Sequence, residues 1–350
     1  MLRKSSSIRP RDKNLEPQYI KSENRKTSQR GASSPLIVVY GFLAIIIIGA
    51  SLLYLPFSHY EKISFVDALF TATSATTVTG LIVVDTASSW TLAGQIVIAL
   101  LIILGGIGFM TGAAFFLIAA GQSLGLTRRV QIGQGLGEEK LDSVSGLVLK
   151  VVISSLFFQI IGAIIFFILF NLNFDYDFKD NLWLSIFHSI SSFNGAGFDI
   201  LADGNGGSIG SITNNNNLLA ITMILIFLGS IGYPIILEFS ENIKLFFQSK
   251  FKQIFVSLNF KVVVFTTIIV LIIGMLQFLF AEWSNQLTIG LESTQNKIIY
   301  SVFHAITRTA GFSIIDYDLI HNSTTVSTMA LMFIGGGSLS VAGGIKVGTL

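Results

Sequence analysis

The fold of this chain follows from one stretch of sequence, Thr76-Thr77-Val78-Thr79-Gly80. The stretch ends a short Phe-led segment, 64–75, which lies between two long apolar segments and is too short and too polar to cross a bilayer. The same arrangement returns twice, with turns at Asn194–Phe198 and Arg308–Phe312. A pattern that recurs at intervals of roughly a hundred residues indicates an internal repeat.

The composition is that of an integral membrane protein. Hydrophobic residues make up 51% of the chain and charged residues only 12%, whereas a soluble protein has about a quarter charged. The absence of cysteine excludes disulfides and thiolate metal sites. The sequence shows no nucleophile–base pairing and no metal-ligand spacing, so we expect neither an enzyme nor a covalent cofactor, and no nucleic-acid partner.

The predicted fold is all-α, with tandem span–pore-loop–span repeats around a central pore. Spans of about 20 residues are long enough to cross a bilayer. We place them at 36–55, 91–120, 147–170, 218–239 and 262–280, with a last apolar stretch from about 325. The predicted parts are a basic arm (1–35), a first repeat (36–121), a linker (122–143), a second repeat (144–239), a linker (240–258) and a third repeat (259–350).

The orientation follows from the distribution of charge. The arm carries nine basic residues against three acids, the linker 240–258 carries three against one, and the linker 122–143 carries three of each. Basic segments next to membrane spans stay in the cytoplasm. We therefore expect a multi-pass plasma-membrane protein with a cytoplasmic N-terminus, in which the short segments enter and leave from the outer side. The arm itself is expected to be a solvated tether, with contact to lipid headgroups or a partner as the alternative.

The turns after the short segments suit a cation. A half-helix that enters from outside points its C-terminal end, with a partial negative charge and free carbonyls, toward the membrane centre. Carbonyls can replace the hydration shell of an ion, and glycine allows them to face one way. The candidate ion-selectivity residues are Thr77, Val78, Thr79 and Gly80 in the first turn, Asn194, Gly195, Ala196 and Gly197 in the second, and Arg308, Thr309, Ala310 and Gly311 in the third. A dehydrated cation would bind to the carbonyls of Gly80, Gly197, Gly311 and their neighbours.

A glycine-rich loop in the third repeat is expected to lie in or beside the pore. Each glycine costs a helix about 1 kcal/mol relative to alanine, so this run should not be helical. Irregular backbone at membrane depth is tolerated only where it is buried in protein or lines water. The glycines of the matching stretches 104–109 and 228–233 are instead explained by close helix packing. The loop residues singled out are Gly335, Gly336, Gly337, Ser338, Ser340, Gly343, Gly344 and Lys346.

With these motifs, the chain resembles the Trk/Ktr/HKT superfamily of potassium transporters, and within it the bacterial Ktr pore subunit. The resemblance rests on Ala75–Leu81, the turns at 194–198 and 308–312, and Gly343-Gly344-Ile345-Lys346. It implies four repeats around one pore, a K+-selective filter built from four turns, and an intramembrane gate in the glycine-rich loop. It also implies a homodimer on a ring of cytosolic nucleotide-binding subunits, and stimulation by Na+.

The sequence departs from the family pattern at two points. It contains three of the four repeats, and it stops at Leu350 inside the third outgoing span, so the fourth repeat is expected to be missing. Residues 337–340 of the glycine-rich loop lack the proline expected in the gate.

Several other residues carry separate predictions. His188 and His304 are expected to pack within their half-helices, with a pH sensor or a ligand as the alternative. Arg308 should point away from the pore and bond to an acid or to carbonyls behind the turn. Lys346 is either a gate charge or a side chain that extends to the cytoplasmic surface. Glu238 is read as a boundary residue.

The sequence therefore predicts the pore-forming subunit of a K+ uptake system. Its driving force would be the membrane potential, about 2.3 kcal/mol per unit charge per 100 mV. Two alternatives stay open: the potassium-binding subunit of an ATP-driven pump, and a non-conducting membrane scaffold or sensor derived from such a transporter.

Overall fold

The structure is a computed structural model that describes residues 36–108, 111, 144–201, 212, 215–248 and 256–349. Within these ranges the regular elements are helices, joined by turns and two isolated bridges. The helices are α1 (Leu36–Tyr54), α2 (Phe65–Thr76), α3 (Thr86–Ser89), α4 (Leu92–Ile107), α5 (Val144–Asn173), α6 (Phe178–Asn194), α7 (Asn216–Ile231), α8 (Tyr233–Phe247), α9 (Leu258–Glu282), α10 (Thr294–Thr307) and α11 (Asn322–Phe333), with a 3₁₀ turn at Tyr317–Leu319. The predicted arm (1–35) and the linker 122–143 lie outside the described residues.

The helices α2, α6 and α10 are the three short segments predicted from the sequence. They have 12, 17 and 14 residues, so that α2 is only about 18 Å long and α6 about 25 Å, less than the roughly 30 Å of a hydrocarbon core. α2 begins at a capping box: Asp67 N–H donates to Ser64 Oγ over 3.2 Å, and Ser64 N–H donates to the Asp67 carboxylate over 3.2 Å. α10 begins at Ser293, whose hydroxyl accepts from Asn296 N–H.

The long apolar helices are the candidate membrane spans. The segments Val148–Asn173 and Leu258–Glu282 are long and apolar enough to cross a bilayer. About a third of α5 and less of α9 is buried inside the protein, so most of their apolar surface is left to face lipid. α1 and α4 are shorter apolar helices that pack on each other and on α2.

The second outgoing span is broken, where the sequence predicts a continuous helix over 218–239. α7 ends at Ile231, and α8 leaves it at an angle of 103°. Gly232 makes the break with a φ of +98°, a conformation that glycine adopts without steric cost. Pro234 follows in the first turn of α8, where proline favours a helix start. α8 then continues to Phe247, so the predicted linker 240–258 begins inside a helix.

The first outgoing span is also interrupted. α4 ends at Ile107, and Gly108 follows with a φ of +83°, whereas the sequence predicts a helix from 91 to 120. Residues 112–120 lie outside the described part of the chain. Both outgoing spans thus turn at a glycine, Gly108 or Gly232, that the sequence reading assigned to packing.

The short helices lie inside the bundle and the long ones around it. α6 packs on α5, α7 and α4, and α10 packs on α9 and α7. The three predicted repeats therefore follow one another in space as they do along the chain. The Phe-led pattern marks the buried side in the second and third copies, because Phe187, Phe193 and Phe303 are fully buried, while Phe70 in the first is partly exposed.

Candidate functional site

The first turn, 77–80, continues directly from the last turn of α2. Thr77 N–H donates to Thr73 O over 2.9 Å, and Thr79 N–H donates to Ser74 O over 2.9 Å. Gly80 has a φ of +85°, and Val78 has a φ of +55°. A β-branched residue in this region is a genuine outlier, and such strain costs on the order of 1–3 kcal/mol. Strained backbone of this kind clusters at functional sites, which makes the turn a candidate site.

The second turn, 194–197, is built on two glycines. Gly195 ends α6 in the left-handed conformation, with a φ of +67°, and Gly197 follows with a φ of +76°. Ala196 N–H donates to Ser191 O over 2.8 Å, and the Ser191 hydroxyl donates to Phe198 O over 2.6 Å. These bonds hold the chain on both sides of Gly197, so its backbone is fixed against the end of α6.

The third turn, 308–311, differs from the other two. Gly311 is not among the residues with positive φ, so the prediction that every turn needs glycine for its backbone angles is wrong here. Its glycine is needed for close packing instead. A Cβ on Gly311 would lie 2.8 Å from Gly80 Cα and 3.0 Å from Ala196 O, well inside ordinary contact.

The three turns meet at one point. A Cβ on Gly197 would lie 2.7 Å from Gly311 O, and Gly311 N–H donates to Gly195 O over 3.3 Å. Gly80 closes the group through its contact with Gly311. The backbones touch closely enough to leave no gap of an ion's width between the first and third turns.

The side chains of the turns are placed differently from one another. Thr77 and Thr79 are exposed and lie 2.7 Å apart through their hydroxyls. Asn194 is fully buried, and its amide donates to Ile190 O over 2.8 Å, so it anchors its own helix. Thr309 and Ala310 are half-buried. What the structure brings together is therefore the backbone of the turns.

The side chain of Arg308 points away from the place where the three turns meet, as the sequence predicts. Its guanidinium is 6% exposed and donates to the carbonyls of Ala305 (3.3 Å), Ile334 (3.3 Å) and Gly335 (3.2 Å). All three acceptors are carbonyls, so of the two predicted kinds of partner the structure has the carbonyls. Two of these acceptors belong to the start of the glycine-rich loop.

The glycine-rich loop begins where α11 ends, at Phe333. Its two ends are joined in a neck, which we define as residues 333–336 and 345–347. Gly335 N–H donates to Ile345 O (2.9 Å), Ile345 N–H to Phe333 O (2.8 Å) and Val347 N–H to Gly336 O (3.0 Å). The neck is a short parallel bridge, and the predicted loss of helix in this run occurs from residue 334.

The tip of the loop, residues 337–341, is hydrogen-bonded to the bend between α7 and α8. Gly337 N–H donates to Ser230 O (2.9 Å), and Val341 N–H donates to Gly229 O (3.1 Å). Tyr233 N–H, at the start of α8, donates to Leu339 O over 3.3 Å. A Cβ on Gly232 would collide with Ser338 O. The tip of the loop therefore packs against the break in the second outgoing span.

The remaining loop residues have distinct surroundings. A Cβ on Gly335 would lie 3.0 Å from Gly344 C, and one on Gly336 would lie 2.9 Å from Ser340 Oγ. Gly343 has nothing within 4 Å of such an atom. Lys346 donates to Ala342 O and, over 3.4 Å, to Ser340 Oγ, so its ammonium lies over the loop itself.

His188 and His304 are both buried in aromatic surroundings, which is the packing role that the sequence predicts. The His188 ring lies 4.6 Å from Phe166 and 5.6 Å from Phe312, which directly follows the third turn. The His304 ring stacks on Phe278 at 4.4 Å.

Two carboxylates have structural roles that the sequence reading missed. Glu282 is buried at the C-terminal end of α9 and accepts from His321 N–H (3.0 Å), Asn285 (2.7 Å), Thr288 (2.9 Å) and Thr324. Glu238 is more than a boundary residue, because it accepts from both the N–H and the hydroxyl of Ser257 over 2.6 Å and so joins α8 to the start of α9.

A third missed contact joins the first and second predicted repeats. Trp183 Nε1 donates to Gln95 Oε1 over 2.7 Å. The spacing of 88 residues between the two gives no local signal of this bond.

The TrkH model, described as a cation transport protein, matches residues 16–350 of the chain. The chain belongs to the TrkH family of cation transport proteins. It is 40% identical over 316 residues to the Ktr system potassium uptake protein B of Bacillus subtilis, covering 90% of this chain and 68% of that protein. It is 35% identical over 332 residues to the potassium/sodium uptake protein NtpJ of Enterococcus hirae, covering 93% and 70%.

Solved structures agree on the fold. The crystal structure of the potassium transporter TrkH from Vibrio parahaemolyticus has a TM-score of 0.62 and 19% identity to this chain. The match covers 93% of this chain and 60% of that one.

These findings confirm the Trk/Ktr superfamily and the all-α membrane fold. The family consists of membrane ion transporters, so the chain is a transporter component and not an enzyme. The boundaries of the repeats and the filter and gate assignments stay predictions.

Proposed function

We propose that this chain forms the pore of a potassium uptake transporter, with K+ held by backbone carbonyls of the turns 77–80, 194–197 and 308–311. The observation that carries the proposal is the meeting of Gly80, Gly197 and Gly311 at the C-terminal ends of three short helices. Each helix end brings a partial negative charge and free carbonyls to that point. Carbonyl rings select a dehydrated ion without any side-chain charge.

A conducting filter of this kind needs a fourth turn. The contact between Gly80 and Gly311 leaves no room for an ion. The predicted repeats form a row, because α4 packs on α6 and α7 packs on α10, and the first and third turns belong to its two ends. A fourth turn inserted between them would hold them apart and complete the ring. The chain spans about 70% of the length of the curated relatives, which leaves residues for such a unit in proteins of this family.

The glycine-rich loop is proposed as the gate beneath this filter. It is bound to Arg308 on one side and to the bend at Gly232 on the other, so it lies between the C-terminal end of α10 and the bend that joins α7 to α8. K+ would be drawn inward by the membrane potential, at about 2.3 kcal/mol per unit charge per 100 mV. Na+ is a candidate stimulating ion, since one relative is named for uptake of both potassium and sodium.

The assembly is proposed as a homodimer in the plasma membrane, with the N-terminus in the cytoplasm. Two relatives are named as proteins B of a Ktr system, which supports a cytosolic regulatory partner, and we propose a ring of nucleotide-binding subunits. The apolar outer faces of α5 and α9 would contact lipid.

The contact between the first and third turns also favours a second candidate, a non-conducting scaffold or sensor. Uptake of Rb+ by the full-length protein with its cytosolic partner, in cells that lack other K+ uptake, separates the two. The pore proposal expects uptake that Gly80→Asp abolishes, because the new side chain would strike the carbonyl of Ala196 in the second turn.

Gly146→Asp is the matched control, since it adds the same carboxylate in the first turn of α5 at a glycine with open space around it. Absence of Rb+ uptake by the wild type, or equal uptake by both variants, would reject the pore proposal.

A further inference from the structure

We propose that Arg308 is a positioning residue that locks the third turn to the neck of the glycine-rich loop. Ion selection and gating would then depend on one buried side chain. The proposal rests on the proposed function, because it assigns a task to a residue between the filter and the gate.

The neck is the one part of the loop that its own backbone closes. Its three backbone hydrogen bonds, from Gly335, Ile345 and Val347, are 2.8–3.0 Å long. They hold the incoming and outgoing strands of the loop together, so the neck moves as a unit. Whatever binds the neck therefore sets the position of the whole loop.

Arg308 binds that neck from the side of the turns. Its Nε and one terminal nitrogen donate to two successive carbonyls, those of Ile334 and Gly335. The other terminal nitrogen donates to Ala305 O, in the last turn of α10. One planar guanidinium thus spans the end of the short helix and the start of the loop.

The charge makes this link strong. The guanidinium is 6% exposed, and its partners in the described residues are these three carbonyls. Hydrogen bonds from a charged donor are about twice as strong as neutral ones, and a buried donor left without acceptors is costly. Separation of the neck from the third turn would therefore leave the buried guanidinium without two of its acceptors, at that cost in free energy.

The turn at the other end of this link is part of the meeting point. Gly311 lies three residues after Arg308 and touches Gly80, and its N–H is bonded to Gly195 O. The tip of the loop is bonded to the bend between α7 and α8. A displacement of α8 is thus passed to the tip, from the tip to the neck, and through Arg308 to the turns.

Lysine cannot replace this residue. A single ammonium on a flexible stem lacks the fixed fork that meets two successive carbonyls and a third acceptor together. The conservative change Arg308→Lys should therefore behave much like Arg308→Gln, although it keeps the charge.

The test measures Rb+ and Na+ uptake by the full-length transporter, with and without its cytosolic partner, per amount of protein in the membrane. We expect Arg308→Gln and Arg308→Lys to lower the ratio of Rb+ to Na+ uptake about tenfold, the effect of one lost charged hydrogen bond. We also expect both variants to lose most of their dependence on the partner. Neither readout depends on how much protein folds.

Lys297→Gln is the matched control, because Lys297 is also a buried cation of α10. It donates only to the carbonyls of Trp283 (2.9 Å) and Gly290 (2.8 Å) at the outer start of the helix. It should change the amount of protein and leave the uptake ratio as in the wild type.

A second pair of variants moves the neck without touching Arg308. Gly335→Ala places a methyl group against Gly343 and Gly344, whereas Gly343→Ala meets nothing within 4 Å. We expect Gly335→Ala to reproduce the lowered ratio, Gly343→Ala to lower it less, and Gly335→Ala combined with Arg308→Gln to add nothing further, since both act on one contact.

A wild-type ratio and normal partner dependence in Arg308→Gln would overturn the proposal, as would equal effects of Lys297→Gln. If Arg308→Gln does not reach the membrane, Gly335→Ala decides in the same way. Failure of the proposed function is a separate result, since it shows as absent Rb+ uptake by the wild type.

Discussion

Replacement of Gly197 by alanine should abolish K+ uptake, while the same change two residues earlier should be tolerated. Both glycines have positive φ, +76° for Gly197 and +67° for Gly195, so alanine at either costs about 1 kcal/mol of backbone strain. The difference lies in what the new methyl group meets. At Gly197 it would lie 2.7 Å from Gly311 O, whereas at Gly195 its nearest neighbour is Ala310 Cβ at 3.3 Å.

The backbone carbonyl of Gly311 cannot move without displacing the third turn, and overpacking of this kind costs about 2 kcal/mol. The two variants should then differ by roughly thirtyfold in the fraction of correctly formed turns, at 1.4 kcal/mol per factor of ten. The assay is initial Rb+ uptake by the full-length protein, normalised to protein in the membrane, with the apparent KM for each variant. Equal uptake by Gly195→Ala and Gly197→Ala would refute the idea that contact between the turns, and not backbone strain, decides the site.

Two further predictions concern contacts outside the turns. Glu282→Ala should lower the free energy of unfolding by about 2 kcal/mol, because it leaves several buried donors without an acceptor, whereas Glu61→Ala at an exposed site should leave the unfolding temperature in detergent unchanged. Trp183→Phe should lower the free energy of unfolding by about 1 kcal/mol, because the bond to Gln95 is lost. If Trp183→Phe costs no more in the wild type than in the Gln95→Ala variant, the result contradicts that bond.

The sequence predicts the short helices well, since their signals are local. The capping box at Ser64 and Asp67 marks the start of α2, and the pattern of small residues around Gly80 marks its end. Because the pattern recurs, the same reading carries over to α6 and α10. Each end of a short helix is then set by a cap or a turn within a few residues of that end.

The breaks in the spans were missed although one of them has a signal. Gly232-Tyr233-Pro234 combines a residue that permits a bend with one that favours a helix start, and the structure bends there by 103°. The apolar composition around Gly232 hides the break. A hydrophobic run predicts that a segment lies in the membrane, but it does not predict that the helix is straight. No such signal exists for Trp183 and Gln95, since that bond depends on which helix faces meet.

The role of Gly311 could not have been read from the sequence. A glycine that supplies a positive φ and a glycine that permits close approach look the same in a turn. Gly80 and Gly197 meet both needs, whereas Gly311 meets only the second. The distinction appears only when the three backbones are placed against one another.

The glycines of the outgoing segments show why the third repeat needs an arginine. Gly105 and Gly229 each lie against the carbonyl four residues before the last glycine of their own turn, those of Thr76 and Phe193, so that the span touches the short helix directly. Gly335 holds the same place in the third repeat, but its Cβ would meet Gly343 and Gly344 of the loop instead.

Once the span has become a loop, it no longer reaches the short helix by backbone packing. The side chain of Arg308 fills that distance and bonds to Gly335 O. A repeat that keeps a helical span needs only a glycine at this contact, whereas a repeat that opens its span into a loop needs a long side chain with several donors.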